Sequence, residues 1–373
     1  MNVMDARLCL ALHCLPGLGD ISLARLFHHY GTPANIWNSL GDWPALAIPS
    51  EIRRAAAVMQ KGRFREFAGR SIDAQIDVLQ RFDAEVLSLS DADYPALLRT
   101  IYDPPPILYL RGDRNLLQST QLAVVGSRKA SSTGLRAAVD FSRALTLSGV
   151  QVSSGLALGI DQAAHRGALD AGGNTVAVMA TGIDRIYPAR HCAIANEILC
   201  AGCLVTEFPP GTAPLPQNFP RRNRILSGLS LGVLVIEAAL RSGSLITART
   251  AMEQGREVFA LPWSISHPAG RGCLSLLRDG VKMVLTIEDI LEELGALACW
   301  QQQNQCTDAG SIDTATALSP IEADVMALIG GEAVGVDELV QHCDLDVAGL
   351  LAILSRLEYQ SMIERFDGGY IRS

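Results

Sequence analysis

Long apolar runs are missing from this 373-residue chain. None approaches the roughly 18 residues that a bilayer-crossing helix needs. The stretch 229–240 is the nearest, and Ser230 and Glu237 interrupt it. A secretory leader is not evident either: Asp5 precedes a short apolar stretch that His13 breaks, without a basic start or a cleavage site. The expectation is a cytoplasmic protein that spans no membrane. The chain also lacks a Gly-x-Gly-x-x-Gly turn followed about twenty residues on by an acid, which weakens a dinucleotide-binding reading. Its nine cysteines are an odd number, and only Cys200 and Cys203 have Cys-x-x-Cys spacing. With only His191 and Cys192 nearby, a four-ligand zinc site is not expected, and the thiols read as small core residues. No metal or cofactor is expected.

What is present describes a folded chain. Hydrophobic residues make up 49% and charged residues 19%, which excludes the polar, highly charged composition of disorder. The net charge of −8 argues against a polyanionic partner until it is divided along the chain. Between Gln121 and Pro262 there are 13 Lys and Arg against 9 Asp and Glu; from Leu318 to Ser373 there are 3 against 10. The middle segment can meet phosphate, and the tail is poorly suited to it.

Residues 1–80 read as a helical domain, with apolar positions at helical spacing through Leu8, Leu12 and Leu15 and again through Leu23, Leu26 and Phe27. Between these runs, Leu15-Pro16-Gly17-Leu18-Gly19 fits either a helix-hairpin-helix turn whose N–H groups hold a DNA phosphate or a plain interhelical turn. Residues 86–113 look extended, stiffened by Pro104-Pro105-Pro106. From 121 to about 290, short apolar strands alternate with amphipathic helices, so an α/β core with a parallel sheet spans 81–298. The strands are expected at 122–125, 151–153, 175–178, 203–206, 232–236 and 257–260. A Gln-, Ser- and Thr-rich linker covers 299–317. The last segment, 318–373, opens with the capping box Ser319-Pro320-Ile321-Glu322. A second short helix fits Asp337 to His342. A third carries an apolar stripe at Val347, Leu350, Leu351, Leu354 and Leu357, and a hairpin follows around Asp367-Gly368-Gly369. Three helices and a terminal hairpin make a winged-helix domain.

The chemistry is expected in the turns beyond the carboxyl ends of the strands, where helix N-termini offer N–H groups to anions. The first turn is Gly126-Ser127-Arg128, with Ser131 shortly after it and a helix expected from Thr133. Gly126 would admit a phosphate, and Arg128 can grip two of its oxygens. The second runs from Ser153 through Gly155 and Gly159 to Asp161, a candidate N-cap, and on to His165, which could pair with that carboxylate. The third is Gly182-Ile183-Asp184, followed by Tyr187-Pro188 and Arg190. The fourth, Asn218-Phe219-Pro220-Arg221-Arg222-Asn223-Arg224, offers phosphate clamps, an amide for a base edge and a stacking ring, the mixture that single strands require. The fifth, Ser242-Gly243-Ser244-Leu245-Ile246-Thr247, opens a helix with hydroxyls and free N–H groups.

These five loops, in this order and spacing, resemble the DprA/Smf family of DNA-processing proteins; Tyr94-Pro95 and Asp103-Pro104-Pro105 look like that family's entry segment. The resemblance implies an extended Rossmann-like core beside a helical domain of helix-hairpin-helix or SAM-like type and a winged helix. It implies a homodimeric, non-enzymatic protein that binds and protects single-stranded DNA and loads the RecA recombinase during recombination and natural transformation. By that likeness the DNA contacts are Gly126, Ser127, Arg128, Ser131, Gly155, Arg190, Phe219, Arg222, Asn223, Arg224, Ser242, Gly243, Ser244 and Thr247. Two departures stand out: Trp263 and Leu274 replace the glycine and asparagine usual in the family, which puts the loop at 263–274 and any dimer contact there in question. The rival reading is a nucleotide-phosphate-sugar hydrolase of a related fold, which needs a catalytic Glu shortly after Thr247, where this chain has Ala248-Arg249-Thr250. A third reading, a duplex-reading regulator, founders on the tail's third helix, where Arg356 is the sole cation; the acidic domain is expected to dock protein.

Overall fold

The computed structural model describes residues 3–40, 43, 48–60 and 71–295, and in the C-terminal stretch positions 325, 328, 329, 334, 339, 350, 354, 363–366 and 369–372. The linker expected at 299–317 lies outside the described residues. Residues 1–300 form one compact unit and 301–373 a second.

The chain opens with helices α1 (Val3–His13), α2 (Asp20–Tyr30), α3 (Pro33–Asn38), α4 (Ser50–Gln60) and α5 (Ile72–Arg81). The Thr32 and Ser71 hydroxyls cap α3 and α5 by accepting N–H bonds from Asn35 and Ala74. Then come β1 (Glu85–Ser88), α6 (Ala96–Arg99) and β2 (Ile107–Gly112). Alternation of strand and helix follows: β3 (Gln121–Val125), α7 (Ser132–Leu147), β4 (Gln151–Ser154), α8 (Ile160–Asp170), β5 (Thr175–Val178), α9 (Cys192–Ala201), β6 (Cys203–Thr206), α10 (Asn218–Leu229), β7 (Gly232–Val235), α11 (Gly243–Glu253), β8 (Glu257–Ala260), α12 (Arg271–Arg278) and β9 (Lys282–Met283).

One nine-stranded sheet runs β1-β2-β6-β5-β4-β3-β7-β8-β9, parallel from β6 to β9, with β2 antiparallel to β6 and β1 antiparallel to β2. Strand order reverses beside β3, which pairs with β4 on one side and β7 on the other. That switch point opens a crevice beyond the strand ends. The central strands are buried along their whole length, as a sheet covered on both faces must be. The six expected core strands are all present. The extended stretch 86–113 turns out to add two antiparallel strands, a short helix and the Pro-rich connector.

The helical layer and the sheet share one core. Leu10, Leu12 and Trp43 pack in the same buried cluster as Ala177, Met179 and Leu204. At this seam His13 stacks on Tyr109 of β2, and a 2.9 Å hydrogen bond joins Nδ1 to the phenol oxygen. In the second unit, Val325, Ile329, Leu339, Leu350 and Leu354 are buried, and β10 (Ile363–Phe366) pairs with β11 (Gly369–Arg372) in the expected hairpin. Val334 bridges to Tyr370. Of the expected apolar stripe, Val347, Leu351 and Leu357 lie outside the described residues.

Candidate nucleic-acid interface

Beyond β3, β4 and β7 the turns enclose a groove of about 530 Å³. It is lined by Gly126, Ser127, Arg128 and Lys129 from the first turn, Ala157 and Asp161 from the second, and Phe219, Pro220, Arg222 and Asn223 from the start of α10. Ser242, Gly243, Ser244 and Thr247 complete it at the start of α11. The switch point thus gathers four of the five motif loops, because each follows a parallel strand and all leave the sheet at the same end.

Glu237, two residues past β7 in a buried position, organises the first turn. Its carbonyl oxygen accepts the Ser127 N–H at 2.7 Å, and its carboxylate accepts the Ser131 N–H at 3.1 Å and the Ser131 hydroxyl at 2.5 Å. Ser131 in turn caps α7 by accepting from Gly134. Its hydroxyl is therefore engaged within the protein, and Ser131, which the sequence placed among the DNA contacts, lies outside the groove lining. Arg128, held at the tip of the same turn, is exposed and lies over the Phe219 ring, 4.9 Å from its centroid. Tyr187 meets that ring edge-on at 5.9 Å. Together with Met179, Pro188 and the backbone at 155–158, these two rings line a smaller recess beside the groove.

Arg222 is the buried cation of the site, only 4% exposed. Its Nη1 donates to the Val178 carbonyl at 2.6 Å, and its Nε has no partner among the described residues. Gly155 makes this position possible: a Cβ there would overlap the guanidinium. The absent side chain thus leaves room for an arginine, whereas the sequence suggested room for a ligand. Gly126 is similar, since its Cβ would press on Ile160 and on the Glu237 carbonyl. Burial lowers the Arg222 guanidinium from its usual range, with Arg128 acting in the same direction and Asp161 opposing both. Burial raises the Asp161 carboxyl, against the pull of Arg222 and the N–H bonds from Ala157 and Gly155. A buried guanidinium whose Nε has no partner among the described residues favours an incoming anion in this low-dielectric setting.

Three sequence-based placements are corrected. Arg224 points away from the groove: its Nη2 lies 2.5 Å from the buried Glu207 carboxylate, its Nε 3.3 Å from Asp103, and its Nη1 donates to the Asp103 carbonyl. Two positions beyond Arg222, and so about 200° round the helix, it leaves the groove face and is held by internal acids. Asp161 lies inside α8 instead of capping it; Gly159 takes the N-cap position, and Asp161 folds back to accept from Gly155 at 3.1 Å and Ala157 at 3.3 Å. His165 consequently does not pair with Asp161. It bonds Thr175 at 2.8 Å in full burial, and desolvation, with the fields of His191 and Arg222, lowers its pKa to about 3. Arg190 is exposed in the turn after Pro188, outside the groove lining.

Other expectations resolve around the site. Ser242 makes no side-chain cap bond; its hydroxyl meets Ser244 at 2.8 Å, which leaves the first turn of α11 open to the groove. The turn at 15–19 ends in Asp20, whose carboxylate pairs with Arg221 at 2.5 Å, so an acid already occupies the start of α2. Trp263 is accommodated by Gly270, stacks on His267 at 4.5 Å and donates to the Ile236 carbonyl at 2.7 Å. Cys200 is exposed and Cys203 buried, and among the described residues no group of three ligand-type side chains could hold a metal. Sequence reasoning passed over Lys129, although it adjoins Arg128, and over Glu237 as organiser of the first turn. Nothing in the sequence links Glu237 to a serine 106 positions earlier.

Known proteins supply independent findings. Residues 85–295 match the model described as DNA recombination-mediator protein A, and residues 312–369 match the DprA winged helix domain. The chain is 41% identical over 314 residues to Protein Smf of Escherichia coli, covering 84% of each chain. Its structure is similar to the X-ray structure of DNA processing protein A from Streptococcus pneumoniae, with TM-score 0.67 and 35% identity over 77% of this chain and 97% of that one. It is also similar to the Helicobacter pylori DNA processing protein A, whose structure is described in terms of its single-stranded DNA binding mode. There the TM-score is 0.52 and the identity 28%, over 57% of this chain and 96% of that one.

Proposed function

The chain belongs to the DNA recombination-mediator protein A family, known also as DprA/Smf, and we propose that its switch-point groove binds single-stranded DNA with little regard to sequence. The observation that carries this reading is the groove's composition. Arg128, Lys129 and Arg222 line it against one carboxylate, Asp161, and that carboxylate is already held by two backbone N–H groups. Phosphates meet the two arginines and the open N-terminus of α11, while bases stack on Phe219 and Tyr187, rings that accept any π face. Gly126, Ser127, Gly155, Asn223, Ser242, Gly243, Ser244 and Thr247 shape this trough; Arg224 and Ser131 brace it from outside.

Family membership supports the wider role: the protein pairs with a second copy, shields single strands and passes them to a RecA-type recombinase. It acts as a binder and not as an enzyme. The hydrolase alternative needs a free acid at the groove, and Glu237 is engaged by Ser131. Nucleotide turnover by the pure protein would support that alternative instead.

Fluorescence anisotropy with labelled oligonucleotides of unrelated sequence, across a salt series, tests the central claim. Arg128→Ala should weaken binding to every sequence about tenfold and reduce the salt slope by about 0.7, the loss of one phosphate contact on a single strand. Unchanged affinity in a folded Arg128→Ala protein would move the site elsewhere.

A further inference from the structure

A second groove, larger than the first at about 710 Å³, lies where the helical layer meets the core. Helix α2 forms one wall with Ile21, Arg25, His28 and His29; the other is formed by Arg99 at the end of α6 and by Tyr102, Asp103 and Pro104. Two features make it unlike an incidental cleft. Arg25, His28, His29 and Arg99 are exposed, and the lining carboxylate, Asp103, is already paired with Arg224 at 3.3 Å. The Tyr102 ring is 93% exposed, beside the stiff run of prolines that begins at Pro104. Two arginines, Arg25 and Arg99, beside an outward-facing ring are what a phosphate backbone with free bases requires.

The two grooves flank the same helix. Asn223 of α10 lines the first, and its neighbour Arg224 holds Asp103 of the second. Between them, the acids that would repel a strand are neutralised: Arg221 reaches Asp20 at 2.5 Å and Glu207 at 3.3 Å, and Arg224 takes Glu207 and Asp103. Arg221 itself is half exposed along this path.

Building on the reading of the switch-point groove as a single-strand site, we propose that the strand crosses α10 and continues into this second groove, where Arg25 and Arg99 hold phosphates and Tyr102 stacks a base. The occupant is the same polyanion, and the contact is independent of sequence.

The test compares two oligothymidylates on the full-length protein, one of about 6 nucleotides that fills the first groove and one of about 20 that reaches both. Arg25→Ala combined with Tyr102→Ala should weaken the longer strand about tenfold, reduce its salt slope by about 0.7 for the lost phosphate contact, and leave the shorter unchanged. Adding Arg99→Ala should deepen the loss, although that side chain also bonds the Asp91 carbonyl. The double variant is therefore the deciding one. An iodouridine near one end of the longer strand should photocrosslink to Tyr102. Equal losses for both lengths, or no loss for either, would overturn the second groove while leaving the first intact. Failure of the unaltered protein to bind either strand would instead remove the reading on which the proposal rests.

Discussion

Helix α10 presents two sides that differ in how their charges are met. On the groove side Arg222 is buried with a carbonyl contact and a free Nε, beside exposed Arg128 and the Phe219 ring. On the far side Arg221 and Arg224 are matched by Asp20, Glu207 and Asp103. Two arginines two residues apart in one motif, almost equally buried, thus have different roles. A cation ion-paired with its own acids holds the fold together; among the described residues Arg222 has no such ion pair, only the field of Asp161, and is the cation that we propose meets a ligand. The distinction rests on partners, which neither burial nor residue type reveals.

The largest effect should come from breaking the far side. Glu207→Ala removes the buried partner of Arg224 and should cost about 3 kcal/mol of unfolding free energy in denaturant titrations, the low end for breaking a buried pair, because the partly exposed Asp103 still faces the guanidinium. A loss below about 1 kcal/mol would show that solvent or another acid serves Arg224 equally well.

The groove side should answer in affinity instead. Phe219→Ala removes both the stacking ring and the surface on which Arg128 rests, and should weaken single-strand binding by about 1–3 kcal/mol with little change in stability. If stability drops and affinity holds, the two sides have been assigned the wrong way round.

Acidity offers a finer probe of the buried face of α8. His165 has a folded pKa of about 3, below its ordinary 6.5, so the folded form binds the proton less readily than the unfolded chain. Its contribution to stability is complete above the ordinary value and is lost as pH falls toward the folded one, with a slope of at most about 1.4 kcal/mol per pH unit. Melting temperatures should fall across that window. His165→Gln should flatten the decline, and an unflattened curve would assign it to carboxylates alone.

The smallest effect is expected from the other compact unit, where cations are outnumbered 3 to 10 from residue 318 onward. We predict that ending the chain at 317 leaves oligonucleotide affinity within about twofold, as an acidic domain gives phosphate little to hold. A drop of tenfold or more would show that this unit touches DNA and does not serve only to dock protein.

Much of the architecture was legible in advance. Alternating buried strands and amphipathic helices have a clear periodicity, and loops after parallel strands must emerge at one end, so the groove's location followed from strand order. Partner choice was hidden. Arg224 and Arg222 belong to the same basic run, and only folding brings Glu207 and Asp103, the latter 121 positions away, against one of them. Gly155 misled for a related reason: a missing side chain marks a close approach without saying what approaches. The antiparallel strands at 85–112 were read as extended, but their pairing with β6 is a long-range choice that local pattern does not encode.

The shared core of helices and sheet bears on how the chain is made. Leu10, Leu12 and Trp43 leave the ribosome well before Ala177, Met179 and Leu204, which share their buried cluster. At an elongation rate of about 5–20 residues per second that interval is on the order of ten seconds. Throughout it the nascent helices present an oily face with nothing to cover it, so this segment is where a trigger-type chaperone would be expected to engage, and where starved or stalled translation would first produce aggregates.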